Sequence, residues 1–165
     1  MRIAQSRHTN LPRPCLCFVT DRNQTEARPL EEIVVAAVAG GVGMVQLRDR
    51  DLPAGILLQL AHTLRKIAHG RALFIVNDRI DVALLCGADG VQLGEESVGI
   101  AEARGLAGEN MLLGRSVHTV DGAVQAIYDG ADFLVIGTIF ETDSHAGMVT
   151  AGPELLSSVR AKTNA

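Results

Sequence analysis

Six short apolar runs, each ending in or next to polar residues, recur along the chain: CLCFVT from Cys15, MVQLRD from Met44, LFIVND from Leu73, GVQLG from Gly90, MLLGRSV from Met111 and FLVIGTIF from Phe133. They are rich in β-branched residues and bounded by turn residues, the pattern of strands buried on both faces. Between them lie stretches with helical character, such as PLEEIVVAAVAGG, where Pro29 suits a helix start followed by acidic residues, and LPAGILLQLAHTLRKIAHG. The junctions AGGVGMV, CGADGVQL and DGADFLVI each place a glycine where a helix should end, then a short turn, then a strand. Glycine closes a helix in the left-handed conformation, and so short a loop lays the next strand beside its predecessor. The repeated βα unit predicts parallel strands with right-handed crossovers, as a doubly wound sheet or a (β/α)8 barrel.

The segment after the first strand, FVTDRNQTEARP, contains no glycine, so the glycine fingerprint of a dinucleotide-binding sheet is missing and the barrel is favoured. Polar residues close nearly every strand: Thr20 and Asp21, Arg48 and Asp49, Asn77 and Asp78, Glu95 and Glu96, Ser116 and His118, and Thr138. In a barrel these ends converge on one mouth, where active sites of the fold lie. With PELLSSVRAKTNA as a sixth helix, the expected architecture is a TIM (β/α)8-type barrel truncated after six βα units, residues 1–14 forming an N-terminal extension and 15–165 the incomplete barrel. Six parallel strands leave two edges unpaired, which natural sheets close, cover or charge. The expectation is a fragment or the product of a degraded gene, with completion by another subunit as the alternative.

Composition narrows the partners. At 165 residues and 47% hydrophobic, the chain can bury one substantial core. No run approaches the roughly 18 apolar residues of a membrane span, and Met1 to Pro14 lacks an apolar signal-peptide core, so a cytoplasmic location is expected. A formal net charge of −4, no Trp and one Tyr supply neither a basic stripe nor stacking platforms for nucleic acid. Cys15, Cys17 and Cys86 are an odd number of thiols without metal-ligand spacing, best explained as reduced, small buried hydrophobes. His62 and His69, seven apart on one helix, are too far apart for one ion.

The segments VQLRDRDL, FIVNDRIDVALLCGADGVQLGEE and LLGRSVHTVDGAVQAIYDGADFLVIGTIFETDSHAG together resemble the thiamine phosphate synthase and TenI superfamily of (β/α)8 barrels, over roughly Cys15 to Arg160. Two activities follow from the resemblance. A thiamine phosphate synthase joins a pyrimidine diphosphate to a thiazole phosphate with Mg²⁺, and Asn77 and Asp78 match its Asn-Asp pair after strand three. Its pattern after strand four, Leu-Gly-Gln-Glu-Asp, is here Leu93, Gly94, Glu95, Glu96 and Ser97, so a metal-binding aspartate is replaced by serine. Arg50 and His145 stand where that pattern carries lysines. A hard divalent ion needs carboxylate oxygens, so Asp78, Glu95 and Glu96 are ligands only in this alternative.

GRSVH and IFETD are similar to the TenI branch, which implies a thiazole tautomerase: an isomerase that converts a carboxythiazole phosphate tautomer to the aromatic thiazole by proton transfer, without a metal or other cofactor. By that resemblance His118 is the catalytic acid/base, since a group titrating near neutrality can accept and return one proton. This is the first expectation, with the synthase and a non-catalytic barrel remnant behind it. The substrate-binding set is Gln46, Arg48, Asn77, Asp78, Gln92, Ser116 and Thr138. Arg48 suits a carboxylate or phosphate, or pairs with Asp49; Asn77 and Asp78 hold a ligand or cap the next helix; Gln46 and Gln92 contact a ring or join a core network. Ser116 packs or touches substrate, and Thr119 is a helix N-cap. The implied partner is a small phosphorylated thiazole, with a homodimer suggested by TenI relatives.

Overall fold

The computed structural model describes residues 11–141 and 150–163. His145 and residues 1–10 lie outside them. All six expected strands form, as β1 (Cys17–Val19), β2 (Met44–Leu47), β3 (Leu73–Asn77), β4 (Gly90–Leu93), β5 (Leu112–Val117) and β6 (Phe133–Ile136). The helices are α1 (Leu30–Ala39), α2 (Ala54–Ala68), α3 (Ile80–Cys86), α4 (Ile100–Ala107), α5 (Val120–Tyr128) and α6 (Glu154–Thr163). Each strand pairs in parallel with the next, so the sheet order is the chain order, β1 to β6. This is a six-unit part of a (β/α)8 barrel, as the βα repeat predicts.

Alternation along the strands divides two environments. Val45, Leu47, Phe74, Val76, Val91, Leu93 and Leu113 join the core with α1 to α4, packing among Val34, Leu57, Leu64 and Val82. A smaller cluster of Val117, Ala123, Ala126 and Val159 gathers the last units, with Leu134 and Ile136 against it. The intervening positions, Gln46, Ile75, Asn77, Gly90, Gln92, Gly114 and Ser116, share the other face. Burial on both faces holds for β2 and β4 but not for the outer strands: Val19 of β1 and Val135 of β6 are each 46% exposed, because neither strand has a second neighbour.

The Gly-Ala-Asp junctions do more than end helices. Gly87 and Gly130 take positive φ, and the next amides, of Ala88 and Ala131, reach back to Ala83 and Ala126 as the closing bonds of α3 and α5. The aspartate then pins the preceding strand to a helix. Asp89 accepts the Phe74 amide at 2.7 Å and a two-pronged bond from Arg65 of α2. Asp132 repeats the arrangement on the Leu113 amide, with Arg104 of α4 as the cation. Both aspartates precede their strands, at the end of the sheet opposite the mouth.

Gly90 is required by space. A Cβ there would lie 2.5 Å from the Leu112 carbonyl oxygen and 2.9 Å from Ile75 Cδ1, and a backbone oxygen cannot swing away. Gly90→Ala should therefore lower stability by about 1–3 kcal/mol, the range for overpacking, visible as an earlier urea midpoint. An unchanged midpoint would show that β4 and β5 can part at no cost.

Burial of the thiols is partly corrected. Cys86 is buried, but Cys15 and Cys17 are exposed residues beside the open edge of the sheet. Local desolvation, with Cys15 adding to it, still pushes the Cys17 thiol up to about 11.

Candidate active site

At the carboxyl ends of the strands, polar side chains form a chain of hydrogen bonds. Thr20, buried just beyond β1, accepts the Arg48 amide at 3.0 Å, while its own amide binds the Gln46 carbonyl. Gln46 donates Nε2 to Asn77 Oδ1 at 2.8 Å, and Asn77 donates Nδ2 to Asp78 Oδ2 at 2.7 Å. Asp78 sits at φ 59°. Its Oδ1 accepts the Gly94 amide at 2.8 Å and the Ser97 hydroxyl. Gln92 donates to Ser116 Oγ at 3.1 Å.

Two groups in this row keep unused capacity. Gln92 is 2% exposed, yet its Oε1 is buried with no hydrogen-bond partner among the described residues. A buried amide oxygen without a partner is costly unless something docks against it. It lies on the Gln46–Ser116 face, beside Gly114, where a Cβ would come within 2.2 Å of it. The second group is Arg48. Its expected alternative partner, Asp49, is taken by Arg22. Partial burial pushes the Asp49 carboxyl up, but Arg22 and the amides of Leu52 and Asp51 outweigh this and hold it below its usual range.

Further residues frame the mouth. Asn77 and Asp78 do not cap α3: Arg79 holds the capping position, and Asp78 is turned to the β4–α4 loop instead. Thr119 does cap α5, accepting the Gly122 amide. Arg115 donates to the Val98 and Glu95 carbonyls at 2.9 and 2.6 Å, so it fixes that loop from the β5 side. His118 sets Nδ1 against the Gly137 carbonyl, which only accepts, so Nδ1 carries the proton; Nε2 faces Glu95 Oε2 at 3.6 Å. Thr138 lies past the end of β6, half-buried, where its carbonyl accepts the Ala151 amide. A surface hollow lined by Arg22, Thr25, Leu30, Glu31 and Leu60 shares no residue with this row.

Sequence reasoning puts Arg48, Asn77, Asp78 and Ser116 at strand ends and Gln46 and Gln92 within strands, and the structure bonds Gln46 to Asn77, Asn77 to Asp78, and Gln92 to Ser116. Sequence reasoning missed Thr20 as a tie between β1 and β2, and Arg115 as the clamp on the β4–α4 loop. The signal for Arg115 was parity: it alternates with Gly114 and Ser116 and so points away from their face.

The donor set of the described residues does not fit a Mg²⁺ site. Mg²⁺ takes near-octahedral oxygen coordination and dehydrates reluctantly. Asp78 offers one carboxylate already engaged by three donors; Ser97 adds a hydroxyl that donates to it; Glu95 faces His118. Among the described residues no group of three or more His, Cys, Asp or Glu side chains is placed to share an ion. None of the described helices is long and apolar enough to cross a membrane.

Comparison with known proteins settles the family. Residues 16–165 match the family model described as thiamine monophosphate synthase. A thiamine-phosphate synthase of Gloeobacter violaceus is 47% identical over 133 residues, 79% of this chain and 39% of the relative. One of Nostoc sp. is 40% identical over 151 residues, 91% of this chain and 42% of the relative. The chain spans between 39% and 62% of the length of the first curated relatives it matches. The solved thiamine phosphate pyrophosphorylase of Pyrococcus furiosus superposes with a TM-score of 0.80 at 36% identity, covering 89% of this chain and 69% of that one.

These relatives overturn the expectation of an isomerase. Proteins up to 47% identical carry the name of the transferase, not of a thiazole tautomerase. With its fold, its strand-end motifs and these matches, the chain belongs to the thiamine monophosphate synthase family.

Proposed function

We propose that the protein to which this chain belongs is a thiamine-phosphate synthase, a transferase that joins a pyrimidine diphosphate to a thiazole phosphate. The observation that carries this reading is the polar row on the inner face of β2 to β5. Its two glutamines are buried, its side chains are cross-bonded, and the Gln92 amide oxygen has no partner among the described residues. Planar nitrogen heterocycles present ring acceptors and amino donors at their edges, and fixed amides and hydroxyls answer them in place without reorganising. Gln46, Asn77, Gln92 and Ser116 are assigned to the ring.

Arg48 is assigned to phosphate oxygens, which suit the paired N–H donors of a guanidinium. Thr138, beyond β6, completes the rim. Asp78 acts indirectly, holding Asn77 and the β4–α4 loop in place. No proton transfer is assigned to His118, which ties the end of β5 to the loops after β4 and β6. The reading rests on these ring- and phosphate-facing groups and not on a cation held by the chain.

Calorimetric titration with the pyrimidine diphosphate tests it. Saturable one-to-one binding is expected, weakened by about tenfold or more in Gln92→Leu, because a hydrogen bond to a buried polar group contributes roughly 1–2 kcal/mol. Undiminished affinity in a folded Gln92→Leu variant would remove Gln92 from the ring site, and no binding by the native protein would remove the reading itself.

A further inference from the structure

The loop after β4 is held by an arrangement that the family pattern does not explain. Asp78 Oδ1 receives both the Gly94 amide and the Ser97 hydroxyl, and Oδ2 receives Asn77. The fit is close: a Cβ on Gly94 would lie 3.3 Å from Ser97 Oγ and 3.5 Å from Asp78 Oδ1. From the other side Arg115 grips the Glu95 and Val98 carbonyls, so both ends of the four-residue segment are fixed. Ser97 stands where the family pattern carries an aspartate.

We propose that Asp78 and Ser97 form a metal-free latch, in which a hydroxyl–carboxylate hydrogen bond joins the β3 end to the β4–α4 loop in place of two carboxylates sharing a divalent cation. The chemistry follows from donor counting. Two facing carboxylates repel unless a cation or proton lies between them, whereas a serine hydroxyl donates directly to one carboxylate and needs no ion. A cation at Asp78 would find three of its roughly four lone-pair sites taken, and at residue 97 it would meet a neutral hydroxyl where the family pattern offers a second charge. The inference concerns this donor set and stands independently of the transferase reading.

Mn²⁺ is the probe, followed through the paramagnetic resonance signal of the free aqueous ion, with no substrate present. The native protein and Ser97→Asn, whose amide can still donate to Asp78, are expected to show no saturable uptake at Asp78. Ser97→Asp is expected to take up one equivalent at least tenfold more tightly, in line with affinity tuned by ligand charge, and to lose it when combined with Asp78→Asn. Its thermal midpoint should rise with added Mn²⁺ while that of the native protein stays fixed, as mass action requires of a ligand that binds only the folded state.

One tight equivalent on the native protein, abolished by Asp78→Asn, would overturn the latch, and this arm decides the matter even if Ser97→Asp fails to fold. A folded Ser97→Asp that binds no better than the native protein would also overturn it. Catalytic failure would leave these outcomes unchanged, so the latch and the transferase reading are tested separately.

Discussion

Asp132→Ala is expected to destabilise the protein by roughly 3–5 kcal/mol, the scale for removing one partner of a buried ion pair. Side-chain exposure is 12% for Arg104 and 5% for Asp132. Truncating the aspartate leaves the Arg104 guanidinium without a carboxylate and the Leu113 amide without its acceptor. Arg104 would keep its bonds to the Gly108 and Met111 carbonyls, which limits the loss but does not neutralise the charge. The matching pair at the earlier junction supplies an internal control. Arg65 and Asp89 are 21% and 26% exposed, so water can replace the lost partner and Asp89→Ala should be milder. Urea unfolding of the two variants should show the larger shift for Asp132→Ala; equal shifts would mean that burial does not distinguish the junctions.

Arg48→Met should lower kcat/KM for thiamine phosphate formation by about 10²-fold while leaving the unfolding midpoint in place. Hydrogen bonds to charged groups contribute about 1.5–3 kcal/mol each, and a guanidinium on a phosphate makes up to two; roughly 3 kcal/mol corresponds to about two decades. Stability should hold because the backbone amide of residue 48, not its side chain, binds Thr20, and because Asp49 already has Arg22. Methionine keeps the aliphatic stem and removes only the charge and donors. Kinetics within a few-fold of the native protein would show that Arg48 does not touch the phosphate.

The fold was largely legible because burial on both faces writes itself into β2 and β4 as short, mostly apolar runs, and because the glycines at 87 and 130 mark where helices must close. The outer strands carry the same runs, but burial depends on neighbours as well as residues. Val19 and Val135 are therefore exposed where the pattern alone implies a core. The aspartates of the Gly-Ala-Asp junctions looked like turn residues; their arginine partners lie 24 and 28 positions away, a distance no local pattern reports.

At the site, residue types were legible and pairings were not. Asp78 follows a strand and precedes a helix, the setting of a helix cap, but its positive φ directs the carboxylate to Gly94 and Ser97. Arg48 and Asp49 are adjacent and of opposite charge, yet Arg22 reaches Asp49 from the β1–α1 loop. The choice between isomerase and transferase rests on GRSVH and IFETD, similar to the TenI branch, and on Ser97, Arg50 and His145 as departures from the synthase pattern, set against the matching Asn77 and Asp78. Of the three departures, His145 lies outside the described residues, and Ser97 changes how a loop is held rather than which face of the sheet is polar.

The most direct test of the transferase site is product formation. The protein is incubated with the pyrimidine diphosphate and the thiazole phosphate in the presence of Mg²⁺, which the family requires in general, and thiamine phosphate is measured chromatographically. Turnover is expected when both precursors are present, absent when either is omitted, and reduced by about 10²-fold in Arg48→Met. Failure of the folded protein to form thiamine phosphate from the two precursors would contradict the assignment.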